Sequence, residues 1–271
     1  MALSIATRPV LVDNDWAGDP DGLVALAHHL LSPSDAVIAV TSSTLNPVFG
    51  PPEGTAERGA ELARALLERI ERSAPVAAGA DTPFADDSRE TAAARLIVDA
   101  ARSHDDGRLT VVCGGPLTNV ADALRVDPGI AERIRLLWVG GTIEDGAFEY
   151  NQDTDADAAR FALAADGLEL IRFPAETYRL PAISVAELED RLVSSGPVGR
   201  WLWERYEQLP LPEGFPVDPV WPLGDSVPLA FTALPHAATR LESVEGHQVC
   251  TALDSRLIIE DLFARLRLAN R

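Results

Sequence analysis

The chain reads as an α/β protein: an open, mostly parallel, Rossmann-like sheet with helices on both faces and a helical C-terminal part. Three observations predict this. Short apolar runs alternate with segments of helical periodicity from Val10 to Phe173, and strands apolar along their whole length belong to parallel sheets buried on both sides. Most of these runs stop at turns rich in Gly, Asp, Asn or Ser, where a parallel strand hands over to its crossover helix. After Pro174 the rhythm weakens and longer helical stretches take over.

The elements follow in order. Val10–Val12 is a strand, and Asp21–Leu31 a helix because its apolar residues recur at helical spacing. Ala36–Thr41 is a second strand, closed by the loop S-S-T-L-N-P-V-F-G-P-P and followed by a helix over Thr55–Arg72. Pro75–Ala78 is a short strand and Thr91–Ser103 a helix. Leu109–Cys113 is a strand that Gly114-Gly115-Pro116 terminates, and Leu117–Leu124 is the helix after it. Thr118 and Asn119 are read as structural, capping that helix. Ile134–Val139 ends at Gly140-Gly141; Asp155–Ala164 is helical, with Asp153, Asp155 and Asp157 complementing its N-terminal dipole; Leu168–Phe173 is a strand. Ile183–Gln208 reads as helix broken near Gly196-Pro197, before a Pro-rich stretch from Leu209 to Pro222.

A chain of 271 residues, 46% of them hydrophobic, can bury a sizeable core. With no repeats and no evident linker, a single domain over residues 1–271 is the simplest organisation. The net charge of −19 argues against nucleic acid or an anionic membrane as partner. All 23 basic residues are Arg, so no lysine is present to form a Schiff base or clamp a phosphate. Cys113 and Cys250 lie far apart beside apolar residues, as buried thiols of a reducing compartment do. No long apolar segment marks a leader or a membrane span, so a cytoplasmic protein is expected.

Chemistry concentrates between Val10 and Leu26. Asp13, Asp15, Asp19 and Asp21 fall within nine residues, between an apolar strand and an apolar helix. Carboxylates this close repel one another and resist burial, and a hard cation with oxygen ligands removes that cost. The plainer alternative is a solvated acidic turn with helix caps. In open parallel sheets, ligands bind beyond the carboxyl ends of the strands. Asp13–Asp21, Ser42–Asn46, Gly114–Asn119 and Gly140–Asn151 all follow apolar strands and therefore converge on one rim.

These segments resemble, in the same order, motifs of the calcium-dependent nucleoside hydrolases, which cleave the N-glycosidic bond of ribonucleosides. The acidic opening is similar to theirs, as are A-V-T-S-S-T-L-N (Ala39–Asn46), C-G-G-P-L-T-N (Cys113–Asn119), W-V-G-G-T with E-Y-N (Trp138–Thr142, Glu149–Asn151) and L-G-D-S-V-P-L (Leu223–Leu229). The resemblance implies Ca²⁺ held by Asp15, Asp21, Asp225 and the Gly114 carbonyl, with Asp15 also the base that activates a calcium-held water. It implies that Asn46, Glu149 and Asn151 contact the sugar of a nucleoside-like small molecule, and that the protein can form homo-oligomers. Two departures stand out. Five residues separate Asp15 from Asp21, and Pro20 occupies a ribose-binding position, so Asp19 is expected to substitute there. Gly224 stands where some members carry the histidine that protonates the leaving base. Other members stack the base on aromatic residues, and the resemblance implies such a wall from Trp201, Trp203, Tyr206 and Trp221, which precede Asp225. Trp201 and Trp203 are better read as helix-packing residues, which leaves Trp221 and, inside the acidic loop, Trp16 as the aromatic candidates for the substrate pocket. His28 and His29 are read as surface or packing residues of the first helix.

Two rival readings remain. Asp13-x-Asp15 at a strand end also opens phosphatases of the haloacid dehalogenase type, which usually employ a lysine that this chain lacks. A homologue that binds nucleosides or ribosyl compounds without hydrolysing them is the other, motivated by Pro20 and Gly224.

Overall fold

In a computed structural model, residues 6–85, 90–144, 146–209, 218–235, 238–244 and 246–271 are described. The strands are β1 (Arg8–Asn14), β2 (Asp35–Ser42), β3 (Val76–Ala78), β4 (Leu109–Cys113), β5 (Ile134–Val139), β6 (Glu169–Phe173), β7 (Ala182–Ser184), β8 (Val220–Pro222), β9 (Arg240–Val244) and β10 (His247–Ala252). The helices are α1 (Asp21–Leu31), α2 (Thr55–Arg69), α3 (Ala92–Ser103), α4 (Thr118–Val126), α5 (Tyr150–Thr154), α6 (Ala156–Leu163), α7 (Ala175–Tyr178), α8 (Val185–Ser194), α9 (Pro197–Glu207), α10 (Leu229–Thr232) and α11 (Ser255–Ala269).

Eight strands form one sheet in the order β3-β2-β1-β4-β5-β6-β10-β9, parallel except at its edge, where β9 runs antiparallel to β10. Strand β1 alternates between the two faces. Val10 and Val12 pack with α1, α2 and the C-terminal α8, α9 and α11, whereas Leu11 packs with α3, α4 and α6. Each such side chain, fully buried, contributes on the order of 1.5–3 kcal/mol. The order reverses between β1 and β4, where the chain leaves β1 first toward β2 and later re-enters on the other side. A crevice opens at such a switch point. The acidic loop after β1 and the Gly-Gly-Pro turn after β4 both sit there.

The helical C-terminal part requires a correction. Helices α8, α9 and α11 are present, but β9 and β10 extend the main sheet and β7 pairs antiparallel with β8. The reason is compositional: β9 is an exposed edge, R-L-E-S-V, and only Val249 and Cys250 of β10 are buried, so neither gives an apolar run. Helix α2 also stops at Arg69, before the expected Arg72, because Glu71 adopts a left-handed φ of 56°. Most of the Pro-rich stretch from Leu209 to Pro222 lies outside the described residues.

Candidate active site

At the switch point a cleft is lined by Asp15, Asp19, Asp21, Gly114, Val139, Glu149, Tyr150, Asn151, Tyr178, Pro222, Gly224 and Asp225. Five segments supply it: the acidic loop after β1, Gly114 after β4, the stretch from Val139 to Asn151 at and after the end of β5, Tyr178 of α7, and Pro222 to Asp225. The Ser42–Asn46 segment expected on this rim does not line it. Asp21 opens α1, and its Oδ2 accepts from the Asp225 backbone N–H at 3.1 Å. That bond ties residue 225 to the acidic loop across 204 positions of chain. Asn14 strengthens the tie: its Nδ2 donates to Asp225 Oδ2 at 2.8 Å, and its Oδ1 accepts from Asp15 N at 2.8 Å. The backbone approaches closely here, and a side chain at Gly114 would collide with the Asn14 amide and the Asp225 carboxylate.

One carboxylate oxygen each from Asp19, Asp21 and Asp225 lies within 4.8 Å of the others. Desolvation pushes the carboxyls of Asp21 and Asp225 well above their ordinary range, and the neighbouring Asp19 charge pushes them further. Asp15 is raised for the same reasons, burial first and then the charges of Asp19 and Asp225. Among the described residues no Arg or His forms an ion pair with these four. Buried like charges with no cationic partner are a poor structural element and a good cation site. Oxygen-only donors suit a hard divalent ion.

Other side chains hold the cleft in shape. Glu149 Oε2 accepts from the backbone N–H groups of Gly141 (2.6 Å) and Gln152 (2.9 Å), while Oε1 accepts from Tyr178 Oη at 3.0 Å. Asn151 donates to the carbonyls of Gly114 (2.8 Å) and Val139 (2.9 Å), which leaves its buried Oδ1 unpartnered. Tyr150 donates to Asp15 Oδ2 at 3.2 Å.

The family model for inosine-uridine preferring nucleoside hydrolases matches residues 10–255. The chain belongs to this family. It is 26% identical over 182 residues to the inosine-uridine preferring nucleoside hydrolase of Crithidia fasciculata, covering 56% of this chain and 55% of that protein. It is 34% identical over 94 residues to a pyrimidine-specific ribonucleoside hydrolase of Escherichia coli, covering 33% of this chain and 29% of that one. The matched part of the chain therefore spans 55% of the length of the first of these curated relatives and 29% of the second. Among solved structures, a purine-preferring ribonucleoside hydrolase from Gardnerella vaginalis superimposes with a TM-score of 0.77 at 18% identity, over 97% of this chain and 99% of that one. That likeness is one of fold.

Not every residue that the family resemblance suggested reaches the cleft. Asp15, Asp19, Asp21, Gly114, Glu149, Asn151 and Asp225 line it. Asn46 does not: its Nδ2 donates to Thr154 Oγ1 at 2.6 Å and its Oδ1 caps the turn at Val48 N. Trp16 is 1% exposed, packs in the core and donates from its indole to the Thr41 carbonyl at 2.8 Å. Trp221 turns to the other side of β8, into an apolar cavity shared with Trp203 and Tyr206.

Asp13 lies outside the cleft as well. It is fully buried and accepts from Thr41 (2.6 Å), Asn119 (2.7 Å) and the Cys113 thiol (3.3 Å). A carboxylate held in this way cannot attack phosphorus, which removes the phosphatase reading along with the family match. Asn119 thus supports Asp13, and Thr118 donates to Asp155; neither caps α4. Asp155 does cap α6. His28 and His29 are buried packing residues, paired with Asp261 and Asp35.

Sequence reasoning missed Asn14, Tyr150 and Tyr178. The signal for the first two was present, since both stand between residues already singled out. Tyr178 sits on a one-turn helix with no motif around it.

Proposed function

We propose that this protein hydrolyses the N-glycosidic bond of a ribonucleoside or a related ribosyl compound, with Asp15 as the base and Ca²⁺ as the cofactor. The observation that carries this reading is the set of buried carboxylates, Asp15, Asp21 and Asp225, gathered with Asp19 and with no cationic partner among the described residues. Asp15, Asp21, Asp225 and the Gly114 carbonyl would hold the ion, with Asp19 close enough to join them. When bound, a hard dication supplies the charge that offsets the repulsion and acts as a Lewis acid toward water and sugar hydroxyls.

The chain's own groups do the rest. Asp15 takes a proton from the attacking water, and Tyr150 fixes one of its carboxylate oxygens. As the glycosidic bond lengthens, positive charge develops on the ribose ring, and the surrounding carboxylates stabilise it. Asn151 Oδ1 is a buried acceptor for a sugar hydroxyl, and its two other hydrogen bonds fix its direction. Glu149 acts mainly through the loop it clamps, because its carboxylate already accepts from protein donors.

The test is a panel of purine, pyrimidine and modified ribonucleosides assayed for free base, with calcium and with chelator. Chelator-sensitive release supports the proposal and identifies the preferred base. Calcium binding without release from any substrate favours the non-hydrolytic alternative. Asp225→Asn is expected to weaken calcium binding by at least tenfold in a calorimetric titration, as loss of one charged ligand oxygen in a four-donor protein set requires; an unchanged affinity would remove Asp225 from the site.

A further inference from the structure

Asn14 is the last residue of β1, 3% exposed, and it joins parts of the cleft that are distant in sequence. Its carbonyl accepts from Ser43 N–H at 2.9 Å, which fixes its backbone to the end of β2. Its side-chain Oδ1 accepts from Asp15 N–H and its Nδ2 donates to Asp225 Oδ2, both at 2.8 Å. These partners settle which way the amide points, because a backbone N–H only donates and an ionised carboxylate only accepts. Two glycines wall the amide in. A Cβ on Gly22 of α1 would stand 2.7 Å from Asn14 Nδ2, and one on Gly114 would be closer still.

The position thus calls for a donor and an acceptor at the two tips of one short planar group. Aspartate has the same shape but no donor, and serine and threonine carry a single polar atom. The consequence falls on Asp225. Its backbone N–H donates to Asp21 Oδ2 at 3.1 Å and its Oδ2 accepts from Asn14, while its Oδ1 accepts no hydrogen bond among the described residues. An oxygen of this carboxylate must nevertheless stay within 4.8 Å of oxygens from Asp19 and Asp21. Repulsion drives such a group apart when no ion is bound. The neutral Asn14 amide opposes that movement without adding charge of its own.

We propose that Asn14 is the positioning residue of the cation site, holding Asp225 and the Asp15 backbone in binding geometry before the ion arrives. This rests on the calcium-dependent hydrolase reading and extends it to a side chain whose two polar atoms both engage protein partners. Groups that orient metal ligands from behind govern about 10–100-fold of the affinity. The competing role is that of a framework residue, which merely joins β1 to α1 and to the turn after β4.

Asn14→Asp separates the two roles. It keeps the shape and the acceptor for Asp15 N–H, but turns the donor facing Asp225 into a second acceptor. By charge count alone, a further carboxylate tightens calcium binding; by position, it loosens it. Calcium is titrated calorimetrically into chelator-treated, dialysed wild type, Asn14→Asp and Asn14→Ala, and thermal midpoints are recorded with and without the ion. Expected is an affinity about 10–100-fold weaker in both variants, with a smaller calcium-induced rise in midpoint to match. A framework role gives instead an unchanged affinity and an equal fall in midpoint with and without calcium. That result overturns the proposal, as does tighter binding by Asn14→Asp. If Asn14→Asp does not fold, Asn14→Ala decides by the same two readouts. Either result leaves the hydrolase reading standing when wild type shows calcium-dependent turnover; a wild type that binds no calcium overturns both.

Discussion

Asp13 and the trio Asp15, Asp21 and Asp225 are all buried aspartates around the end of one strand, yet their surroundings are opposite. Asp13 sits behind the strand end, with hydroxyl, amide and thiol donors around it. Burial still lifts its carboxyl to about 6, and the three donors pull against that rise. The trio sits in front, where the strongest influences after desolvation are other carboxylates. Burial alone therefore does not mark a functional acid. What marks it is burial among like charges, because folding must then tolerate a repulsion that only a ligand relieves.

The largest test of this contrast is a pair of isosteric substitutions. Asp15→Asn is expected to lower kcat by about 10²–10⁴, the range for a lost general base, with the melting temperature retained. Asp13→Asn is expected to leave kcat close to wild type, since the amide oxygen can still accept from Thr41 and Asn119. Steady-state kinetics on the best substrate of the panel decides it. An Asp13→Asn enzyme as inactive as Asp15→Asn would break the comparison.

A second test uses pH. The carboxyl of Asp13 is higher in the fold than its ordinary value of 3.8, so the folded state binds its proton more tightly than the unfolded one. The associated stability is fully present below about pH 4 and is lost as pH rises through about 6. The rise corresponds to about 3 kcal/mol. Asp15, Asp21 and Asp225 are shifted in the same direction. Chelator-treated protein should therefore lose stability toward these four groups as pH rises from 4 to above 6. Saturating calcium should offset the part due to the trio and leave that of Asp13. In denaturant titrations with calcium, the difference between wild type and Asp13→Asn should fall across this window; a flat difference would contradict the buried, proton-binding Asp13.

The same contrast explains what the sequence disclosed. Helix α1 and strands β4 and β5 have the expected bounds, because unbroken apolar periodicity carries them and Gly, Pro or Ser ends them. The cleft was legible as well, since parallel strands bring their following loops to one rim. What stayed hidden was the direction of side chains at the ends of the pleat. Four aspartates in nine residues look alike in a sequence, but Asp13 is still within β1 and points behind the sheet while Asp15 lies beyond it. Trp16 was drawn to the pocket by its acidic neighbours, yet its indole donates to a core carbonyl. The tyrosines carried no spacing signal, because their contacts join positions as far apart as 150 and 15.

The smallest expected effect concerns Asn46, where the family resemblance and the geometry diverge. The resemblance makes it a sugar contact, whereas its amide group is committed to Thr154 and to capping the turn at Val48. If the geometry governs, Asn46→Ala removes a cap and an inter-loop hydrogen bond. The cost is about 1 kcal/mol of stability, with KM and kcat little changed. If the side chain instead turns toward a bound ribose, deletion of that contact raises KM, and the loss in kcat/KM reaches at least tenfold for a ribonucleoside. A comparison with a 2′,3′-dideoxynucleoside sharpens the outcome, since a true sugar contact discriminates between the two substrates and a framework residue does not. Asn46 then joins either the donors that hold the rim in place or the groups that read the ligand. The side of the contrast on which it falls decides how much of the rim is preformed before substrate arrives.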